Sequence, residues 1–176
     1  MSIRQLNHVV LRVTNLEKSL GFYRDVLGLK LVARLPKNPH SEEMLFLRSP
    51  HESTNHHDIA LIGGAVAASP TSETPPKPGL FHLAFEVATL DELEAMQNAL
   101  MASGAFIAAA DQTAHLSVYG NDPDGITVEV LWREPSTAWS YEEDMQRGPL
   151  DFRASRVRWG GQLKTGAAAG QVPSCN

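Results

Sequence analysis

Two passages decide the fold, residues 6–20 (LNHVVLRVTNLEKSL) and 80–94 (LFHLAFEVATLDELE), because they are one pattern written twice. His8 and His82, Val13 and Val87, and Leu16 and Leu90 each stand 74 residues apart. In both, a run rich in Val, Leu and Phe reads as a strand. Thr14 or Asn15 in the first copy and Thr89 in the second then precede apolar residues at helical spacing, and such side chains accept free amide protons of a first helical turn. The spacing predicts helices ending at Gly28 and Gly104, where glycine supplies the left-handed residue that stops them. Three short apolar runs follow each helix: LKLVARL, EMLFLRS and HHDIALIG in the first half, AFIAA, HLSVYGN and GITVEVLW in the second. Each half is therefore strand-helix-strand-strand-strand.

The last strands align as DIALI with TVEVL, which sets Ala60 opposite Glu129 at an offset of 69. Two such units, each too small to bury a core alone, are expected to pair about a pseudo-twofold axis. The expected class is α+β, with two tandem βαβββ units forming an open, cupped mixed β-sheet and helices on the outside. The expected domain spans 1–135, with units at 3–63 and 80–132 and a Pro-rich linker at 64–79 (GAVAASPTSETPPKPG). Residues 136–176 are expected to form a C-terminal arm and a disordered tail. Trp139, Tyr141, Phe152 and Trp159 punctuate the arm without a strand or helix period, SYEEDMQR could make one helical turn, and KTGAAAGQVPSCN reads as disordered.

The chain of 176 residues is long enough for one substantial core, and 43% hydrophobic with 20% charged residues is ordinary globular composition. A net charge of -5 with no block of Lys or Arg disfavours nucleic acid and leaves a small molecule as the default partner. The single cysteine, Cys175, has no internal disulfide partner. MSIRQLNHVVLRV lacks the features of a signal peptide, and no stretch approaches the ~20 apolar residues of a membrane span, so a cytoplasmic location is expected.

Side chains alternate along a strand, so each first and last strand offers one residue near its middle to a shared face. The repeat defines four such positions, occupied by His8, Ala60, His82 and Glu129. Glu129 stands within the apolar run ITVEVLW, where an ionised carboxylate is costly unless paired or metal-bound. Two imidazoles and a carboxylate are the facial set of non-haem Fe(II), and Mn(II) or Zn(II) accept the same donors. Because Ala60 supplies no ligand, positions would stay open for a chelating substrate and a second molecule such as dioxygen.

HVVLRVTNLEKSLGFYRDVLGLKLV, FHLAFEV and YGNDPDGITVEVLW together resemble the vicinal oxygen chelate superfamily, over about residues 4 to 133. That superfamily includes glyoxalase I, fosfomycin-resistance transferases, bleomycin-binding proteins and type I extradiol dioxygenases. HHDIALI is similar to the dioxygenase segment whose second histidine acts as acid and base, which implies that role for His57. Tyr119, ten residues before Glu129, falls where those enzymes keep a tyrosine that touches the substrate or the oxygenated intermediate. The dioxygenase pattern has a further histidine where this chain has Ala110, and the chain offers His115 instead, with its face left open. The resemblance implies Fe(II) first, then Mn(II) or another divalent metal, on His8, His82 and Glu129, an aromatic diol and O2 as partners, and a homodimer or higher homo-oligomer.

Other activities on the same scaffold compete. Glyoxalase I places a glutamate ligand where Ala60 stands, and the thiol transferases place a threonine where Val9 stands. A metal-free binding module would not need three ligand types at symmetric positions, and an isomerase or epimerase stays open. The extradiol dioxygenase reading takes up His57 and Tyr119 as well as the metal set.

Overall fold

A computed structural model describes residues 5–51, 53–66, 79–138 and 147–169. Most of the expected linker, Trp139, Tyr141, all of SYEEDMQR but Arg147, and Cys175 lie outside the described residues. The chain divides into two compact units, one comprising Met1–Gly79 with Asp122–Asp124, the other Leu80–Asn121 with Gly125–Asn176.

In unit 1, strand β1 (Val9–Arg12) leads into helix α1 (Leu16–Gly21), and Asn15 Oδ1 accepts from the Lys18 amide at 3.0 Å. The strands β2 (Lys30–Leu35), β3 (Met44–Arg48) and β4 (Ile59–Ile62) complete a four-stranded sheet in the order β1-β4-β3-β2. Only β1 and β4 run parallel. One helix to Gly28 was expected, but beyond Gly21 the chain widens into a π-helical turn, Phe22–Val26, closed by the Leu27 amide on the Phe22 carbonyl at 3.1 Å. Phe22 and Tyr23, at the start of this turn, are both buried. The Tyr23 hydroxyl donates to Asp122 Oδ2 at 3.1 Å, and Asp124 accepts from the Thr14 amide and hydroxyl, so the Asp-Pro-Asp turn is part of unit 1.

Unit 2 repeats the plan with β5 (His82–Glu86), α2 (Leu90–Ala102), β6 (Phe106–Asp111), β7 (His115–Asn121) and β8 (Thr127–Arg133), in the order β5-β8-β7-β6. Thr89 caps α2 by accepting from the Glu92 amide. Leu90, Leu93 and Leu100 of the helix are buried, as are Leu116, Val118, Val128, Val130 and Trp132 on the facing strands. The likeness extends to a register shift between Leu31 and Ala33 in β2 that recurs between Phe106 and Ala108 in β6. Each unit thus carries an open four-stranded mixed sheet, as the α+β reading expects.

The arm departs from expectation. Phe152–Trp159 is a helix, α3, capped by Asp151, whose carboxylate accepts from the Ala154 amide at 3.0 Å. Its apolar residues form no stripe, and Val157 is exposed; polar ties hold it instead. Arg156 bridges Asp91 and Glu94 of α2, and the Trp159 indole donates to Glu134 at 3.2 Å. The segment expected to be disordered from residue 164 is ordered at its start: the Thr165 amide donates to the Ala88 carbonyl, and Gly166–Ala169 makes a short 3-10 turn.

Candidate metal centre

Strand register tests the equivalence on which the ligand reading rests. Val10 pairs with Ala60 and Ala84 pairs with Glu129, while Val10 and Ala84 are themselves 74 residues apart. Ala60 and Glu129 are therefore the same position of the two units. The neighbouring strands agree, since Phe46 pairs with Ala60 and Tyr119 with Glu129.

In unit 2, cross-strand partners share a face, so Tyr119 lies beside Glu129 on the side of the sheet away from Val118 and Val130. Period two then adds Ser117 and His115 along β7, and His82 two residues before Ala84. His115, left open by sequence, does share the Glu129 face. Glu129 is only 4% exposed. His82 Nε2 stands 3.2 Å from its Oε2, His115 Nε2 stands 3.5 Å from its Oε1, and the Tyr119 hydroxyl donates to Oε1 at 2.7 Å. Burial pushes this carboxyl up, but His115, Ser117 and Tyr119 outweigh burial and hold it at about 2. Burial, then Glu129, raises the Tyr119 phenol, so it stays protonated and donates.

Unit 1 presents a histidine cluster. The His8 and His57 rings lie 4.4 Å apart between centres, and His57 packs edge-on against Phe46 at 4.9 Å. His56 Nδ1 lies 3.0 Å from His57 Nδ1. Burial, then His8 and His56, lowers the His57 pKa, so this imidazole is neutral near pH 7. The loop carrying it is pinned by Asp58, which accepts from the Ser49 amide at 2.8 Å, the Ser53 hydroxyl at 2.6 Å and Asn55 Nδ2 at 3.0 Å.

Of the expected ligands, His82 and Glu129 meet within unit 2, and His8 belongs to unit 1. No group of three His, Cys, Asp or Glu side chains among the described residues converges as a metal site. The donor chemistry of the His82 and Glu129 pair nevertheless fits an ion: two adjacent ligands each ~2.1 Å from one metal stand about 3.0 Å apart. The observed 3.2 Å matches that separation. His82 Nδ1 is buried with no hydrogen-bond partner.

Several neighbours escaped the sequence reading. Gln112 Nε2 donates to the Tyr119 hydroxyl at 2.7 Å, and the Arg147 guanidinium sits 5.5 Å from the Tyr119 ring centre. Ser117 was reachable by counting back two residues from Tyr119; Gln112 and Arg147 carried no signal. Arg147 also lines a cavity of about 300 Å³ with Asp111, Glu134 and Arg158. Those charged walls differ from the apolar lining an aromatic ring prefers.

Residues 5–130 match the family model described as "Glyoxalase/Bleomycin resistance protein/Dioxygenase superfamily". An iron-dependent extradiol dioxygenase of Rhodococcus jostii is 35% identical over 94 residues, covering 50% of this chain and 28% of that protein. A lactoylglutathione lyase of Schizosaccharomyces pombe is 26% identical over 148 residues, covering 74% of this chain and 48% of that protein. The chain thus spans less than half the length of either relative. Among solved structures, a point mutant of the fosfomycin resistance protein FosX from Listeria monocytogenes, complexed with Mn(II) and 1S,2S-dihydroxypropylphosphonic acid, superposes with a TM-score of 0.56. It shares 18% identity and covers 80% of this chain and 97% of that one, which is a likeness of fold. No helix among the described residues is long and apolar enough to cross a membrane. With repeat, register and family model in agreement, this chain belongs to the glyoxalase/bleomycin resistance protein/dioxygenase superfamily, the vicinal oxygen chelate fold.

Proposed function

We propose that the protein is a metal-dependent extradiol dioxygenase that cleaves the ring of a catechol-like diol with O2, using His8, His82 and Glu129 to hold Fe(II) or Mn(II). The observation that carries the metal reading is Glu129, a buried carboxylate kept ionised beside His82 on a face it shares with Tyr119. When bound, the metal would supply Lewis acidity toward the two diol oxygens and an open position for dioxygen. His57 takes a diol proton: its imidazole is neutral, and in the tautomer whose Nδ1–H donates to His56 Nδ1, the basic lone pair is on Nε2. Tyr119 cannot act as a base, since its proton is committed to Glu129; with Gln112 donating to it, the phenol orients the Glu129 carboxylate. In the overall reaction the carbon-carbon bond next to the diol breaks, and both atoms of O2 enter the product.

The register counts against a lactoylglutathione lyase, because the position equivalent to Glu129 is a fully buried Ala60 that offers neither ligand nor base. The test is oxygen uptake by anaerobically reconstituted enzyme with a panel of substituted catechols, following the yellow ring-fission product. Uptake should occur, and His57→Phe should lower kcat by about 10²–10⁴ while metal content is unchanged. Metal binding without consumption of any catechol would remove the dioxygenase assignment and leave the metal site.

A further inference from the structure

The residue before the first candidate ligand begins a hydrogen-bond chain whose direction can be deduced from its far end. Asn55 presents one terminal amide atom 2.8 Å from the Asn7 backbone carbonyl and 3.0 Å from Asp58 Oδ1. A carbonyl oxygen can only accept, at any pH, so that atom is nitrogen. The other terminal atom of Asn55 is therefore its oxygen, and it lies 3.0 Å from the Asn7 side-chain amide. The Asn7 atom facing it must be nitrogen in turn. This leaves Asn7 Oδ1, 2.8 Å from His8 Nδ1, as an acceptor that a His8 Nδ1–H satisfies.

We infer that Asn7 and Asn55 are positioning residues that lock His8 in the Nδ1–H tautomer and so present the Nε2 lone pair for a metal. The partner that orients a metal-binding histidine normally does so by fixing its tautomer through the nitrogen not used for the metal. Here that partner is an amide whose own orientation is set by a second amide and a backbone carbonyl. Ser49 and Ser53 anchor Asp58, and Arg48 Nη1 donates to the Asn55 carbonyl at 3.4 Å, so the far end of the chain is tied into the sheet-flanking loop. The device is confined to the first repeat. The residue equivalent to Asn7 is Phe81, which has no polar side chain to offer, and His82 Nδ1 has no partner. The two histidines thus occupy one repeat position but are oriented by different means.

The metal consequence rests on the ligand role proposed for His8; the tautomer does not, and it can be read without metal. Long-range proton–nitrogen NMR correlations on metal-free, nitrogen-15-labelled protein, above the imidazole titration and with His8 assigned through His8→Gln, should show His8 as Nδ1–H. Asn55→Ala and Asn7→Leu should each release it to a mixture of tautomers, whereas Asn7→Asp, which keeps an oxygen opposite Nδ1, should preserve it. In chelator competition with Mn(II), Asn55→Ala should bind about 10–100-fold more weakly than the parent. A wild-type His8 carrying its proton on Nε2, or a tautomer indifferent to Asn55→Ala, overturns the inference without recourse to any variant's activity. An Nδ1–H tautomer in a protein that binds no metal would uphold the inference and overturn the ligand assignment instead.

Discussion

Exchanging Glu129 for Gln keeps the shape of the side chain and removes its charge, which turns the electrostatics of unit 2 into a stability measurement. In the folded chain the carboxyl is held at about 2 against an ordinary value of 4.5. At about 1.4 kcal/mol per tenfold change in proton affinity, the difference is worth about 3 kcal/mol to the folded state when the group is ionised. The sign follows from the direction: a folded value below the unfolded one gives stability that is complete above the unfolded pKa and is lost as pH falls toward the folded one. Metal-free Glu129→Gln should therefore be about 3 kcal/mol less stable than the parent near pH 7, and only about 1 kcal/mol less stable near pH 3. For a chain of this size the loss near neutrality corresponds to roughly 6–12 °C in Tm. Urea titrations of both proteins in the presence of chelator, at the two pH values, supply the comparison. Equal destabilisation at both, or a loss below about 1 kcal/mol near pH 7, would refute the idea that His115, Ser117 and Tyr119 hold a native carboxylate.

Two further substitutions probe the scaffold. Tyr23→Phe removes the buried hydroxyl that donates to Asp122 Oδ2 and should cost about 1–3 kcal/mol by urea unfolding; no change would mean that the Asp-Pro-Asp turn does not depend on that bond. At Gly120 an added methyl would meet the buried Leu100 side chain at 2.7 Å and the Ala105 carbonyl at 3.1 Å, so Gly120→Ala should lose about 1–3 kcal/mol, and a neutral result would show that α2 moves aside freely.

What the sequence made legible was everything that follows a period or a repeat. The 74-residue offset between His8 and His82 located both units, and the 69-residue offset between Ala60 and Glu129 reappears as a shared strand register. Features held by individual polar contacts were not legible. Helix α3 depends on the Asp151 cap and the ties of Arg156 to α2, neither of which leaves an apolar stripe. The π-helical turn Phe22–Val26 was hidden because Leu16, Leu20, Tyr23 and Leu27 keep an ordinary helical spacing through it. His115 was placed as a candidate but not on a face, although its even separation of four residues from Tyr119 within the expected strand HLSVYGN already assigns one. The chain from Asn7 through Asn55 to Asp58 joins residues far apart in sequence through side-chain amides, which have no pattern to read.

The most direct test of the central claim is an anaerobic titration of the purified protein with Fe(II), followed by metal analysis after gel filtration, for the parent and for His8→Ala, His82→Ala and Glu129→Ala. The account predicts one ion per parent chain and loss of that ion in each of the three variants. A parent that retains no metal, or a His8→Ala variant that retains a full equivalent, would contradict it.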